Sequence, residues 1–258
     1  MDVSVANVEF LEGRLKKAAE MYFELAREGD SLAAFNYGYC LWRGLGVEKN
    51  SAEAKSFFSF ARDLEGGAAA YNIAVMYLHG DGVSKDYKKA YEYMQLSANQ
   101  GCIEAQLYLG MAYTHGCMYQ PEIIGITLIP FHKYELLDPA AFLVGEVPEE
   151  EFEADEERRY SAIKQDAKRA FECFRAAARH KPDYVEELNA KGKFLYARCY
   201  VDGVGVDFDR DKSIRLMLLA GKSGSQEAIT YIAENGLMEY LNGTKELSKL
   251  SEKGKRTR

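Results

Sequence analysis

Two histidines, His79 and His115, stand 36 residues apart at equivalent places of a repeating pattern, and paired imidazoles could bind a metal or move a proton. Stacked helical units would hold them on the order of 10 Å apart, too far for both rings to reach one zinc at about 2.0 Å. No metal and no cofactor is expected. The five cysteines, Cys40, Cys102, Cys117, Cys173 and Cys199, form no CxxC pair and leave one over, which points to reduced structural thiols. There is no P-loop, no GxSxG, no HExxH and no framed carboxylate pair, so the chain reads as non-enzymatic. The chemistry left is recognition. On the helix face opposite the apolar stripe fall Asn36, Tyr39 and Arg43, then Asn72, Val75 and His79, then Tyr108, Met111 and His115, then Leu195, Arg198 and Asp202. Tyr and Arg on a concave wall would anchor a bound protein or peptide, with the Asn and His side chains supplying polar contacts between them.

The elements that must position these residues follow from the stretch Gly67 to Cys102. Ala69, Ile73, Ala74 and Tyr77 make one stripe of a helix, Gly80-Asp81-Gly82 ends it, and Asp86 caps a second helix running through Ala90, Tyr91, Met94, Leu96 and Ala98 to Gly101. Sliding the chain by 36 superposes Ala33, Ala69 and Ala105, then Gly44, Gly80 and Gly116, then Gly38, Ala74 and Gly110. That period predicts an all-α fold, a right-handed α-solenoid of about five helix-turn-helix repeats. Gly38, Ala74, Gly110 and Ala197 would let two helices approach closely, with Tyr77, Tyr113 and Tyr200 filling the space beside them.

The expected division is a single solenoid: residues 1–30 an N-terminal capping helix, 31–66 and 67–102 full repeats, 103–188 a repeat carrying an insertion at 118–164, 189–224 a repeat, and 225–258 a C-terminal capping repeat with a basic tail. Val8 to Gly29 matches only the second half of a unit, so the array is expected to open on an unpaired helix. In the third repeat the second helix resumes at Asp166, 50 residues after Gly116 instead of 6, which defines a 44-residue insertion. Its first part, Glu122 to Phe131, is apolar and β-branched. Its later part, Glu149 to Glu157, is acidic and fits either a solvated loop or a docking element for a basic partner.

These segments, above all AAYNIAVMYLHGDGVSKDYKKAYEYMQLSANQG and KFLYARCYVDGVGVDFDRDKSIRLMLLAGKSG, resemble Sel1-like repeats, which are relatives of the tetratricopeptide repeat. The family pattern is met at Ala69, Tyr77, Gly80, Gly82, Val83, Asp86, Ala90, Ala98 and Gly101, and again at Ala197, Tyr200, Gly203, Gly205, Val206, Asp209 and Gly224. The resemblance implies a scaffold or adaptor that binds other proteins. Two alternatives built on the same scaffold are a bacterial effector or toxin-immunity module, and a β-lactam-binding or hydrolysing protein. The regularly paired cysteines of the β-lactam relatives are missing here.

A net charge of −7 disfavours nucleic acid and anionic membranes and mildly favours a basic partner. No run approaches the roughly 20 apolar residues of a membrane span, and the opening residues lack a signal-peptide pattern, so a cytoplasmic monomer or weak homodimer is expected.

Overall fold

The computed structural model describes residues 2–63, 67–116, 118, 163–179 and 186–241, and every regular element among them is a helix. In chain order these are α1 (Val3–Leu11), α2 (Leu15–Arg27), α3 (Ser31–Arg43), α4 (Ser51–Phe60), α5 (Ala68–His79) and α6 (Tyr87–Asn99). Then come α7 (Ile103–His115), α8 (Ala167–Arg179), α9 (Glu186–Asp202), α10 (Arg210–Lys222), α11 (Gln226–Glu234) and α12 (Met238–Leu241). Two compact units form, the first from α1 to α6 with the opening of α7, the second from α7 at Gln106 onwards with α8 to α12.

The hairpins close by a repeated device. The backbone N–H groups of Asn50, Asp86, Asp166 and Asp209 donate to the carbonyls of Leu41, Tyr77, Tyr113 and Tyr200 at 2.9, 3.0, 2.9 and 3.2 Å. The same four side chains then accept from Glu53, Lys89, Arg169 and Lys212 N–H at 3.1, 3.0, 3.0 and 2.9 Å, satisfying a donor that a helix start otherwise leaves bare. Three of the four backbone bonds join residues nine apart. The Tyr113–Asp166 bond joins residues 53 apart, so the extra 44 residues enter without shifting the register of α8. Of the insertion at 118–164, residues 119–162 lie outside the described residues, and so does the tail from 242.

The turns need glycine for two separate reasons. Gly80 ends α5 in the left-handed region with φ 72°, and Gly82 repeats that φ while lying against the start of α4. A Cβ on Gly82 would come within 2.5 Å of the Ser51 carbonyl carbon. Gly46 against Leu15 and Gly205 against Ala167 repeat the contact, each with a neighbouring hairpin's second helix. The third hairpin carries Met118 at this position, and its side chain is fully buried.

The first unit's core is continuous along α5, where every residue from Ala68 to Leu78 is buried. Burying each Leu, Ile or Met there is worth roughly 1.5–3 kcal/mol, and the total holds neighbouring hairpins together in place of any intrinsic stability of one hairpin. In the second unit Gly110 lets α7 approach α8 closely, because a Cβ there would sit 2.4 to 2.8 Å from the Phe174 ring. Ala74 and Ala197 in the same register are fully buried.

At the N-terminus the expected unpaired helix is corrected. α1 packs against α2, with Ala6 and Phe10 against Ala18, Ala19, Tyr22 and Leu25. The short Glu12-Gly13 link lacks the double-glycine turn, so the 36-residue offset does not reach α1. Arg14 and Lys17 then bind Glu9 and hold its carboxyl down to about 2.

Candidate protein-binding surface

The residues expected to form an open wall divide by depth. In the first unit Asn36 and Asn72 are fully buried and Tyr39 is 2% exposed; in the second, Tyr108 is equally buried. As open binding surface these four are corrected. First helices are enclosed by neighbouring helices as well as by their own hairpin partner, so their polar faces meet protein and not solvent. Asn36 is committed there: its Nδ2 donates to Asn7 Oδ1 at 3.2 Å, and Tyr22 OH donates to the same oxygen at 2.7 Å. Burial pushes the Tyr39 phenol up to about 12, with Arg43 working against it.

What reaches solvent is the C-terminal end of each first helix. In the first unit Arg43 is half-buried and His79 exposed, both in the last turn where helix carbonyls favour a cation. Beside them, Asp81 accepts from Trp42 Nε1 at 2.7 Å and pairs with Lys49 at 3.6 Å. In the second unit Met111 and His115 are half-buried, while Arg198 and Asp202 are exposed. Arg198 Nε and Nη2 both lie 2.8 Å from Asp202 Oδ2, and the guanidinium sits 5.9 Å over the Phe194 ring. No group of three His, Cys, Asp or Glu among the described residues is close enough to hold a metal ion. The described cysteines are buried or half-buried, and burial pushes the Cys40, Cys173 and Cys199 thiols up to about 12, away from nucleophilic use.

Two features escaped the sequence. In three of the four hairpins the cation three residues after the N-cap also lies over the hairpin's tyrosine: Lys89 at 5.3 Å from Tyr77, Arg169 at 5.6 Å from Tyr113 and Lys212 at 4.3 Å from Tyr200. The second is apolar. Phe60, Leu96 and Leu219 share one position of the second helix and are 55%, 37% and 48% exposed. Beside Phe60 is a depression of about 200 Å³ lined by Ala26, Ala34, Ser56, Phe57 and Phe60. Its signal was small residues where the next repeat carries Arg62 and Glu92.

The sequence model of the Sel1 repeat matches residues 31–65, 67–102, 103–119, 158–181 and 190–225, together more than half of the chain, and its break falls within the insertion. A Sel1 repeat protein from Oxalobacter formigenes has a similar structure, with TM-score 0.64 and 18% identity over 90% of this chain and 75% of that one, a likeness of fold alone. Chitin synthase regulatory factor 3 of Schizosaccharomyces pombe is 25% identical over 131 residues, 49% of this chain and 14% of that protein. The ERAD-associated E3 ubiquitin-protein ligase component HRD3B of Arabidopsis thaliana is 42% identical over 62 residues, 23% of this chain and 10% of its own length. The chain therefore spans a small part of either curated relative. No described helix is long and apolar enough to cross a membrane.

Proposed function

The chain belongs to the Sel1 repeat family, and from that premise we propose that it is a non-enzymatic adaptor that binds a partner protein or peptide through the open ends of its first helices. The observation that carries the reading is the separation of roles along those helices. Asn36, Tyr39, Asn72 and Tyr108 are spent on packing, while Arg43 and His79 in one unit, and Met111, His115, Arg198 and Asp202 in the other, offer side chains to solvent or its edge. Arg at such positions is enriched among interface anchors.

The relatives' names, a regulatory factor and a ligase component, describe proteins that act through others, which agrees with an adaptor role. The partner carries a basic surface in this reading, in keeping with the net charge of −7, and a cytoplasmic location goes with it. Capture from the native cell with the intact protein, compared with an Arg43→Ala/His79→Ala variant and an Arg198→Ala/Asp202→Ala variant, tests the proposal. A partner held equally by all three would place its site elsewhere.

A further inference from the structure

Arg43 ends α3 half-buried, and it makes neither an ion pair nor a hydrogen bond with any described residue. It stands apart in this. Six other described arginines pair with a carboxylate, and the three that do not, Arg179, Arg210 and Arg215, are exposed. Drawing a guanidinium part-way out of water costs free energy that an acceptor normally offsets. The carbonyls that end α3 favour a cation there and offset some of it, but they leave its five N–H donors without a bonded acceptor.

The carboxylate of the adjoining turn is engaged elsewhere: Asp81 accepts from Trp42 Nε1 at 2.7 Å, pairs with Lys49 at 3.6 Å and is bonded by Ser51 as well. The same bond fixes the setting. Trp42 immediately precedes Arg43, and Asp81 comes two residues after His79, so the Trp42–Asp81 bond holds the ends of α3 and α5 side by side with the exposed His79 flanking Arg43. The position is also the one that changes character along the array, from Arg43 to His79, His115 and Asp202.

We propose that Arg43 receives a carboxylate of the bound protein, an Asp or Glu side chain of an acidic segment that meets the guanidinium fork with both oxygens, with His79 beside it as a second donor. One fixed charge is available, because Lys49 is already on Asp81. It balances a carboxylate and not the charge of about −1.5 to −2 on a phosphate. The proposal rests on the adaptor reading and states the partner's chemistry at this edge. The net charge of −7 does not oppose it: residues 119–162 carry 11 Asp and Glu against 3 Lys and Arg, which puts −8 there and leaves the rest of the chain at +1. A basic surface on the partner answers the insertion; the first unit's helix ends take an acid.

Hexaglutamate, hexaglutamine and hexalysine peptides with blocked ends, added to the full chain at low salt, test the proposal. Two signals report on the site: the emission of Trp42, the only tryptophan of the chain and the neighbour of Arg43, and the Arg43 Nε–Hε resonance, assigned by its loss in Arg43→Gln. Hexaglutamate should move both with a Kd on the order of 1 mM, and Arg43→Gln should weaken the response of Trp42 by about tenfold or more at an unchanged helical spectrum. Arg215→Gln, at an exposed and unpaired arginine of the second unit, should change nothing. A response to hexalysine and not to hexaglutamate overturns the proposal. So does hexaglutamate binding that Arg43→Gln leaves intact, or an Arg43 resonance that no peptide moves. The adaptor reading fails differently. A captured partner released by Arg43→Ala/His79→Ala in a chain that ignores hexaglutamate overturns the carboxylate alone, whereas a partner retained by that variant, in a chain that binds hexaglutamate through Arg43, removes the adaptor contact from this edge.

Discussion

Trp42 Nε1 donates to Asp81 Oδ2 across 2.7 Å, tying the last turn of one first helix to the turn that follows the next. The two residues are 39 apart, one repeat plus three, and no other pair of turns among the described residues carries a Trp and an Asp at these places. Desolvation raises the Asp81 pKa, but hydrogen bonds from Ser51 and Trp42 and the charge of Lys49 outweigh it, so the carboxyl is held below its ordinary value of 3.8. A depressed pKa means stability that is present above the unfolded value and lost as pH falls through the folded one. Trp42→Phe, which keeps the ring and removes the donor, should cost about 1–2 kcal/mol at neutral pH. In thermal melts Asp81→Asn should be less stable than the parent at pH 7, and the gap should close as pH drops below about 4. A gap constant down to pH 2 would show that the carboxylate charge is not what the turn uses.

Gly80 and Gly82 separate backbone conformation from contact. Both have φ 72°, but a Cβ on Gly80 meets the Lys85 Cβ at an ordinary 3.4 Å, whereas one on Gly82 meets the Ser51 carbonyl carbon at 2.5 Å. Gly80→Ala should therefore cost only the left-handed strain, about 1–2 kcal/mol. Gly82→Ala adds displacement of the start of α4 and should cost about 3 kcal/mol or more. Urea midpoints compare the two, and equal losses would deny the contact between neighbouring hairpins.

Gly110 is a mid-helix glycine whose replacement by Ala would raise helix propensity by about 1 kcal/mol if nothing opposed it. The Phe174 ring opposes it, standing 2.4 to 2.8 Å from the missing Cβ. Gly110→Ala should therefore destabilise, by about 1–3 kcal/mol, and Phe174→Leu in the same chain should recover part of that loss. The double variant's denaturation midpoint decides: if the two losses simply add, the ring and the glycine are not in contact.

Much of the scaffold was legible because its signals are local and repeated. The glycines at 44, 80 and 116 end helices as their spacing said, Asp86 caps α6 as its position said, and Asp166 resumes the third hairpin where the 44-residue count put it. α1 was missed because its Glu12-Gly13 link carries none of those signals. The wall of the candidate site was misread for a deeper reason. A helix in an isolated pair shows its polar face to water, but α5 is apolar almost all round and is buried from Ala68 to Leu78, packed on the helix of the preceding hairpin as well as on its own partner. Asn36 looked like surface because its hydrogen-bonding partner is not nearby in the chain. Asn36 meets Asn7, 29 residues away. The depression beside Phe60 was invisible for the opposite reason, since it consists of bulk that Ala26 and Ser56 do not supply.

Depth also decides how the partner site must be probed. Cutting Tyr39 or Tyr108 to Ala is the natural test of an aromatic anchor, yet both are 2% exposed. Removing a buried aromatic side chain typically costs 3–5 kcal/mol, a large share of a small protein's net stability of about 5–15 kcal/mol. Binding lost in a Tyr39→Ala/Tyr108→Ala variant should therefore follow the unfolded fraction and reappear when temperature is lowered enough to refold the chain. Tyr39→Phe keeps the ring and should leave binding intact. Arg43→Ala and His79→Ala remove side chains from the open helix ends, where such changes usually stay within about 0.5 kcal/mol. Their effect on a captured partner reads recognition directly, at unchanged urea midpoint. A partner released by Tyr39→Phe, in a chain as stable as the parent and still binding through Arg43→Ala, would mean that the Tyr39 hydroxyl is reached by the partner and that the packed arrangement of α3 opens on binding.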